Sequence, residues 1–157
     1  MRIALLWIGK TKDRRLASLV EEYLERARRM ARVEVLELRD RGGASSDRGE
    51  PRVLEREAES LLSALEEGDV VVLCDERGSQ LRSEEFARII SHHQGRATRR
   101  VVLVIGGYLG VAPTFRERAD EVLALSKMTL THEMARVLLC EQLYRALTIV
   151  NGIPYQK

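Results

Sequence analysis

The sequence predicts an α/β fold: one largely parallel sheet with helices on both faces, in a single domain spanning residues 1–157. Three observations lead there. Short, almost wholly apolar runs recur at residues 3–8 (IALLWI), 69–74 (DVVVLC) and 101–105 (VVLVI), the length and character of strands buried on both faces. Segments of helical period stand between them. The alternation of the two is the pattern of strand–helix–strand crossovers, which build parallel sheets.

The elements follow in order. Residues 3–8 are the first strand and end at Gly9. Residues 12–31 place Leu16, Leu19, Val20, Tyr23, Leu24 and Ala27 on one stripe with charges opposite, a surface helix. Residues 33–38 alternate apolar and acidic, a half-exposed strand near a sheet edge. Residues 39–50 (RDRGGASSDRGE) form a polar, basic loop. Pro51 suits a helix start, and Leu54, Ala58, Leu61, Leu62 and Leu65 face inward as that helix runs to about Glu67.

After the strand at 69–74 comes a turn at 75–79. Ser83 is expected to cap the next helix, with Glu84 and Glu85 in its first turn, reaching about His93. Residues 96–100 are a basic connection. The strand at 101–105 runs into Gly106-Gly107-Tyr108-Leu109-Gly110. Pro113 starts a short helix to about Ala119, and residues 121–125 are the last strand. A small-polar loop, 125–131 (LSKMTLT), leads into a helix at 132–150 that is apolar almost all round, yet carries Arg136, Glu141 and Arg145. Such a helix is expected to be covered on more than one side, by its own domain and by a second copy, with its charges paired or functional.

Composition excludes several classes. The net charge of +2 is too small to argue nucleic-acid binding by bulk charge, so any basic footprint is local. Cys74 and Cys140 lie apart in apolar runs with no CxxC, and read as buried thiols of a reducing compartment. No run approaches a membrane span, and the N-terminus is too quickly charged for a signal peptide. A cytoplasmic protein that does not meet the membrane is the simplest expectation.

Several motifs fail on inspection. Gly9-Lys10-Thr11 is not a P-loop, because the required earlier glycine is Ala4. His132-Glu133-Met134-Ala135-Arg136 has Arg136 where HExxH places its second histidine, so no zinc site forms there. His92-His93 sits at a helix end without other ligands, and no metal is expected. The glycine cluster at 106–110 is more informative. It follows the most apolar strand, at the carboxyl end where open α/β sheets bind ligands, although a plain tight turn is the alternative.

VLVIGGYLG, the loop and helix LSKMTLTHEMARVLLCEQLYRA, and the terminal NGIPYQK together closely resemble the RlmH (YbeA) family over essentially the whole chain. That family comprises small SPOUT-class methyltransferases that modify N3 of a pseudouridine in large-subunit (23S) ribosomal RNA. The resemblance implies a deep trefoil knot in about residues 101–157, a homodimer, and S-adenosylmethionine as cofactor without a metal. It places the cofactor against Leu73, Gly106, Leu125, Ser126, Lys127, Met128, Thr129 and Leu130, with Gly107 and Gly110 shaping the same loop. The family tail ends in Tyr-His-basic, whereas this chain has Tyr155-Gln156-Lys157, so proton transfer is not assigned to the tail.

For catalysis, His132 follows the cofactor loop and is the best-placed titratable group, with helix N-capping as its competing role. Glu141 and Arg145 stand at i and i+4 and are expected to pair, or to form a composite site with the partner copy's tail tyrosine, which is Tyr155 in this numbering. Arg136, Arg145 and Lys157 are candidates for gripping RNA phosphate. The small chain implies a ribosomal particle, the large subunit or the 70S ribosome, as substrate, with basic residues near 39–48 and 96–100 helping. A non-catalytic ribosome-associated dimer and a transfer-RNA enzyme are the alternatives.

Overall fold

The structure is a computed structural model that describes residues 1–40 and 50–155. The order of elements is β1 (Arg2–Ile8), α1 (Arg14–Arg28), β2 (Arg32–Leu38), α2 (Glu50–Ser63), β3 (Val70–Gln80), α3 (Ser83–Gly95), β4 (Arg100–Ile105), α4 (Pro113–Arg118), β5 (Glu121–Ala124) and α5 (His132–Val150). The strands form one sheet in the order β2-β1-β4-β3-β5, and every pairing is parallel. The expected edge strand, β2, is indeed at an edge.

Alternation along each strand sorts its side chains into two cores. Ile3, Leu5, Trp7, Val101, Leu103 and Ile105 pack with Leu24 of α1, Ile90 of α3 and Leu139 and Leu143 of α5. Ala4, Leu6, Ile8, Val102 and Val104 pack with Ala58 and Leu61 of α2 and Phe115 of α4. The molecule is therefore three layers, with α1, α3 and α5 on one face and α2 and α4 on the other. Burial on both faces explains the continuous apolar runs of β1 and β4.

Two local expectations are corrected. Residues 75–79 are not a simple turn. Strand β3 continues to Gln80, and its pairing with β5 breaks register between Cys74 and Ser79. Beyond the break, Ser79 and Gln80 pair with Leu123 and Ala124, an approach that glycine at 78 permits, since a Cβ there would lie 2.6 Å from the Leu123 backbone. The second correction concerns α3. Its N-cap is Arg82, whose backbone N–H donates to Glu85 Oε2 at 2.6 Å, while the Ser83 hydroxyl donates to Gln142 of α5 at 2.8 Å. Ser83 is committed to joining two helices and does not cap.

Helix α5 lies against both α1 and α3, so its own domain covers two of its sides. That accounts for the near-absence of a polar face. At the opposite end of the strands from Gly106, Arg100 is buried. Its Nε donates to Asp69 Oδ1 at 2.9 Å and its Nη1 stands 3.0 Å from Glu66 Oε1. This arginine of the basic connection is a structural ion-pair residue, not an RNA contact. The basic residues expected to help at 41–48 lie outside the described residues.

Candidate active site

The carboxyl ends of β4 and β5, with the middle of β3, open into a cleft of about 760 Å³. Its floor comes from Ile105, Gly106 and Gly107, its walls from 74–77 and 108–111, and its rim from Leu125, Ser126 and 128–132. The glycine cluster is a folded loop and not an open turn. Gly110 N–H donates to the Gly107 carbonyl at 3.0 Å, and Gly110 has φ +83°, a left-handed conformation that glycine adopts readily. A Cβ on Gly106 would lie 2.5 Å from the Gly110 carbonyl oxygen, so that position admits only glycine without moving the loop.

The rim loop is held by its own small polar residues. Met128 N–H donates to Ser126 Oγ at 2.9 Å, and Thr129 Oγ1 donates to Glu76 Oε2 at 3.0 Å, tying the rim to the β3 wall. Met128 is 78% exposed, an apolar side chain standing free at the rim. Thr131, not His132, caps α5, with its hydroxyl accepting from Met134 N–H at 3.3 Å. Glu133 in the first turn accepts from the backbone N–H groups of Lys12 and Asp13 at 3.0 and 3.1 Å.

His132 is therefore free of the capping role and lines the cleft. Burial is the main influence on its imidazole, and with the nearby Arg136 charge it holds the pKa below the usual histidine value. That shift favours the neutral ring, whose lone pair can accept a proton. In the cleft wall, Asp75 pairs with Arg77 and with Arg116, 2.8 Å away, which holds its carboxyl down at about 2 against the cost of burial.

The structure thus brings Gly106, Gly107, Gly110, Leu125, Ser126, Met128, Thr129, Leu130 and His132 to one cleft. Leu73 is wholly buried one residue before the wall, and Lys127 is exposed in the rim loop without lining the cleft. Glu141, Arg145 and Tyr155 form a second cluster. Arg145 Nη2 donates to Glu141 Oε1 at 2.7 Å, and the Arg145 guanidinium lies 4.4 Å from the Tyr155 ring centroid. Tyr155 also packs edge-on against Tyr144, at 4.8 Å, and burial raises its phenol to about 12, so it remains a proton-bearing donor. From His132 to Glu141 is about 13 Å along the helix, and to Arg145 about 20 Å. Within one chain, the two clusters are separate.

Arg136 corrects an expectation. It is 0% exposed, with Nη2 donating to the Ile8 carbonyl at 2.6 Å and Nη1 to Thr11 Oγ1 at 3.0 Å, while its guanidinium lies 5.2 Å from the Trp7 ring centroid. It pins α5 to the end of β1 and cannot grip a phosphate from there.

One group escaped the sequence reading. Glu57 of α2 is 4% exposed, and its carboxyl abuts the back of the glycine loop: a Cβ on Gly107 would lie 2.6 Å from Glu57 Oε2. The signal was present, since Glu57 falls on the inward stripe between Leu54 and Leu61.

Residues 1–156 match the family described as "Predicted SPOUT methyltransferase". The chain belongs to the SPOUT methyltransferase family. Among curated relatives of this SPOUT chain, the ribosomal RNA large subunit methyltransferase H of Geobacter sp. strain M21 is 43% identical over 99% of this chain and 98% of its own length. The protein of that name from Geobacter sulfurreducens is also 43% identical, over 99% of both chains. Among solved structures, a probable methylase family protein from Haemophilus influenzae superposes with a TM-score of 0.54 at 14% identity, covering 99% of this chain and 70% of that one. A tRNA (m1G37) methyltransferase from Aquifex aeolicus gives 0.53 at 13% identity, covering 98% and 71%. These two likenesses establish the fold alone.

Proposed function

We propose that this SPOUT methyltransferase uses S-adenosylmethionine to methylate large-subunit ribosomal RNA, at N3 of a pseudouridine, on an assembled ribosomal particle. The observation that carries the reading is the cleft of Gly106, Gly107, Gly110 and the 125–130 loop, in a chain whose full-length relatives are named as ribosomal RNA large subunit methyltransferases. The residues fit the cofactor chemically. Leu109, Val111, Leu125, Leu130 and Ala135 offer apolar surface to an adenine, and the glycine loop lets a ligand approach backbone. Glu76 and Thr129 supply polar groups at one wall.

When bound, S-adenosylmethionine supplies an already activated methyl group. The protein's part is alignment and handling of one proton. The glycine loop and the Thr129–Glu76 link fix the cofactor's surroundings. His132, neutral at the cleft, accepts the proton that N3 must lose. Glu141 and Arg145, with Tyr155 seated on the arginine, hold the RNA.

Since those residues stand about 13–20 Å along α5 from His132 in one chain, a complete site calls for a homodimer in which one copy's second cluster meets its partner's cleft. The reading also includes the C-terminal trefoil knot over about 101–157 and a cytoplasmic location.

Mass spectrometry of ribosomal RNA from a strain lacking the gene, with and without a plasmid copy, tests target and activity together. Loss and restoration of a methylated pseudouridine in 23S RNA is the expected result. An unchanged ribosomal RNA that leaves cofactor binding intact would mean a non-catalytic factor, and a change in transfer RNA would mean a different substrate.

A further inference from the structure

Glu57 is a buried carboxyl with an unsatisfied oxygen. Its Oε2 has no hydrogen-bond partner, and no arginine or lysine is paired with it among the described residues. A buried carboxylate left alone is costly, and a strongly perturbed carboxyl beside a cleft marks a functional-site candidate. The carboxyl stands directly behind Gly107, which lines the cleft. Glycine at 107 is what allows this approach, because any side chain there would collide with the carboxyl oxygens.

We propose that the Glu57 carboxylate is the counter-charge for the cationic sulfonium of S-adenosylmethionine, acting through the glycine loop as a positioning residue. This rests on reading the cleft as the cofactor site. The charge confers a discrimination that apolar contacts cannot. S-adenosylmethionine carries the positive sulfonium, whereas the product S-adenosylhomocysteine is a neutral thioether of nearly the same shape. Loss of the positive charge on methyl transfer removes the attraction, so the product is held less tightly than the donor.

The charged surroundings suit this role. Burial, with the Asp40 carboxylate adding to it, pushes the free Glu57 carboxyl up to about 7. Asp40 itself sits near Gly9, 3.4 Å from where its Cβ would be. In the cleft, Asp75 is already neutralised by Arg77 and Arg116, Glu76 accepts from Thr129, and His132 is influenced by Arg136, Glu133, Lys12 and Asp40. Near neutrality Glu57 is therefore divided between its two forms. A cation in the cleft draws it to the carboxylate, and the proton passes to the buffer.

The test is calorimetric titration with S-adenosylmethionine and with S-adenosylhomocysteine, at pH 6.5, in two buffers of different ionisation enthalpy. The donor should release a substantial fraction of a proton and the product close to none. Both ligands carry an α-amino group that is protonated at pH 6.5, so its contribution nearly cancels. In Glu57→Gln the difference in proton release should vanish. At pH 8 the donor should bind about tenfold more weakly to this variant, and the product about as before.

Glu76→Gln should retain the proton release, which separates Glu57 from the exposed carboxylate. If release persists in Glu57→Gln, His132 is its source and the proposal fails. If the unaltered protein binds both ligands with equal proton counts, the proposal fails while the cofactor reading stands. If it binds neither, both fall. If Glu57→Gln does not fold, His132→Gln in the same two buffers decides: donor-specific release that persists there leaves Glu57 as its source, and release that disappears assigns the proton to His132 and overturns the proposal.

Discussion

The guanidinium of Arg145 stands 4.4 Å from the centre of the Tyr155 ring while donating to Glu141 Oε1, so the chain's last described residue is docked on the helix that begins at the cleft. Ion pair and ring contact are half-exposed, which limits their contribution to about 1 kcal/mol. Arg145→Ala is expected to lower unfolding free energy by about that much and methylation by more than about tenfold if the group contacts substrate. Denaturant unfolding and a methylation assay on the same preparation check both. Equal, small losses would reduce the pair to a structural contact.

Arg136 should behave in the opposite way. Its removal leaves the Ile8 carbonyl without its donor, leaves Thr11 Oγ1 without this partner, and opens a cavity beside Trp7. Arg136→Ala is expected to cost about 3 kcal/mol, from lost packing plus unmet hydrogen bonds. Urea denaturation measures it. A variant of native stability would contradict the pinning role.

Gly106→Ala tests the cradle. The new methyl group would meet the Gly110 carbonyl oxygen at 2.5 Å and Val111 Cγ1 at 2.7 Å, so the loop must shift. Affinity for S-adenosylmethionine should fall by about tenfold or more, since misplacement of an ångström at a binding site is felt at that scale. The thermal midpoint should change only slightly, the loop being at the sheet's margin. Calorimetry and thermal unfolding separate the two.

Two titrations give opposite signs. The folded His132 has a depressed pKa, so the unfolded chain binds its proton more readily. Its contribution to stability is complete above the ordinary value of 6.5 and is lost as pH falls below it. Glu57 is raised from 4.5 to about 7, so folding favours its protonated form, and stability declines as pH rises through that interval.

Glu57→Gln should accordingly be stabilising at pH 8, by up to about 3 kcal/mol, and nearly neutral at pH 4. Chemical denaturation at the two pH values checks the slope. If His132 accepts the substrate proton, methylation should rise with pH through a value below 6.5 and then level, and His132→Gln should remove that limb.

The sheet was readable from sequence because β1 and β4 are apolar on both faces and no other environment suits them. The excursion in β3 was not. Asp75, Arg77 and Gly78 have the composition of a turn, and only long-range pairing of Ser79 and Gln80 with β5 keeps them in a strand. The Ser83 cap failed for a similar reason, since Gln142 on α5 competes for the hydroxyl.

At the site, the glycine loop and the 125–131 loop were legible as short, small-residue segments after strands. The separation of His132 from Glu141 and Arg145 follows from helix rise alone and was available too. Arg136 and Glu57 carried a legible anomaly, a charge on an inward stripe. Its meaning depended on what lay opposite, the Ile8 carbonyl for one and Gly107 for the other.

The register break in β3 separates two demands on one stretch of chain. Ladder pairing with β5 stops at Cys74 and resumes at Ser79, so Asp75, Glu76 and Arg77 face the cleft, while Gly78 alone is fixed against the Leu123 backbone. Glu76 and Arg77 are exposed and outside the ladder, so their side chains can change while both flanks of the strand stay in place. The wall facing the ligand is thus free to drift toward new specificity on a scaffold that need not be rebuilt.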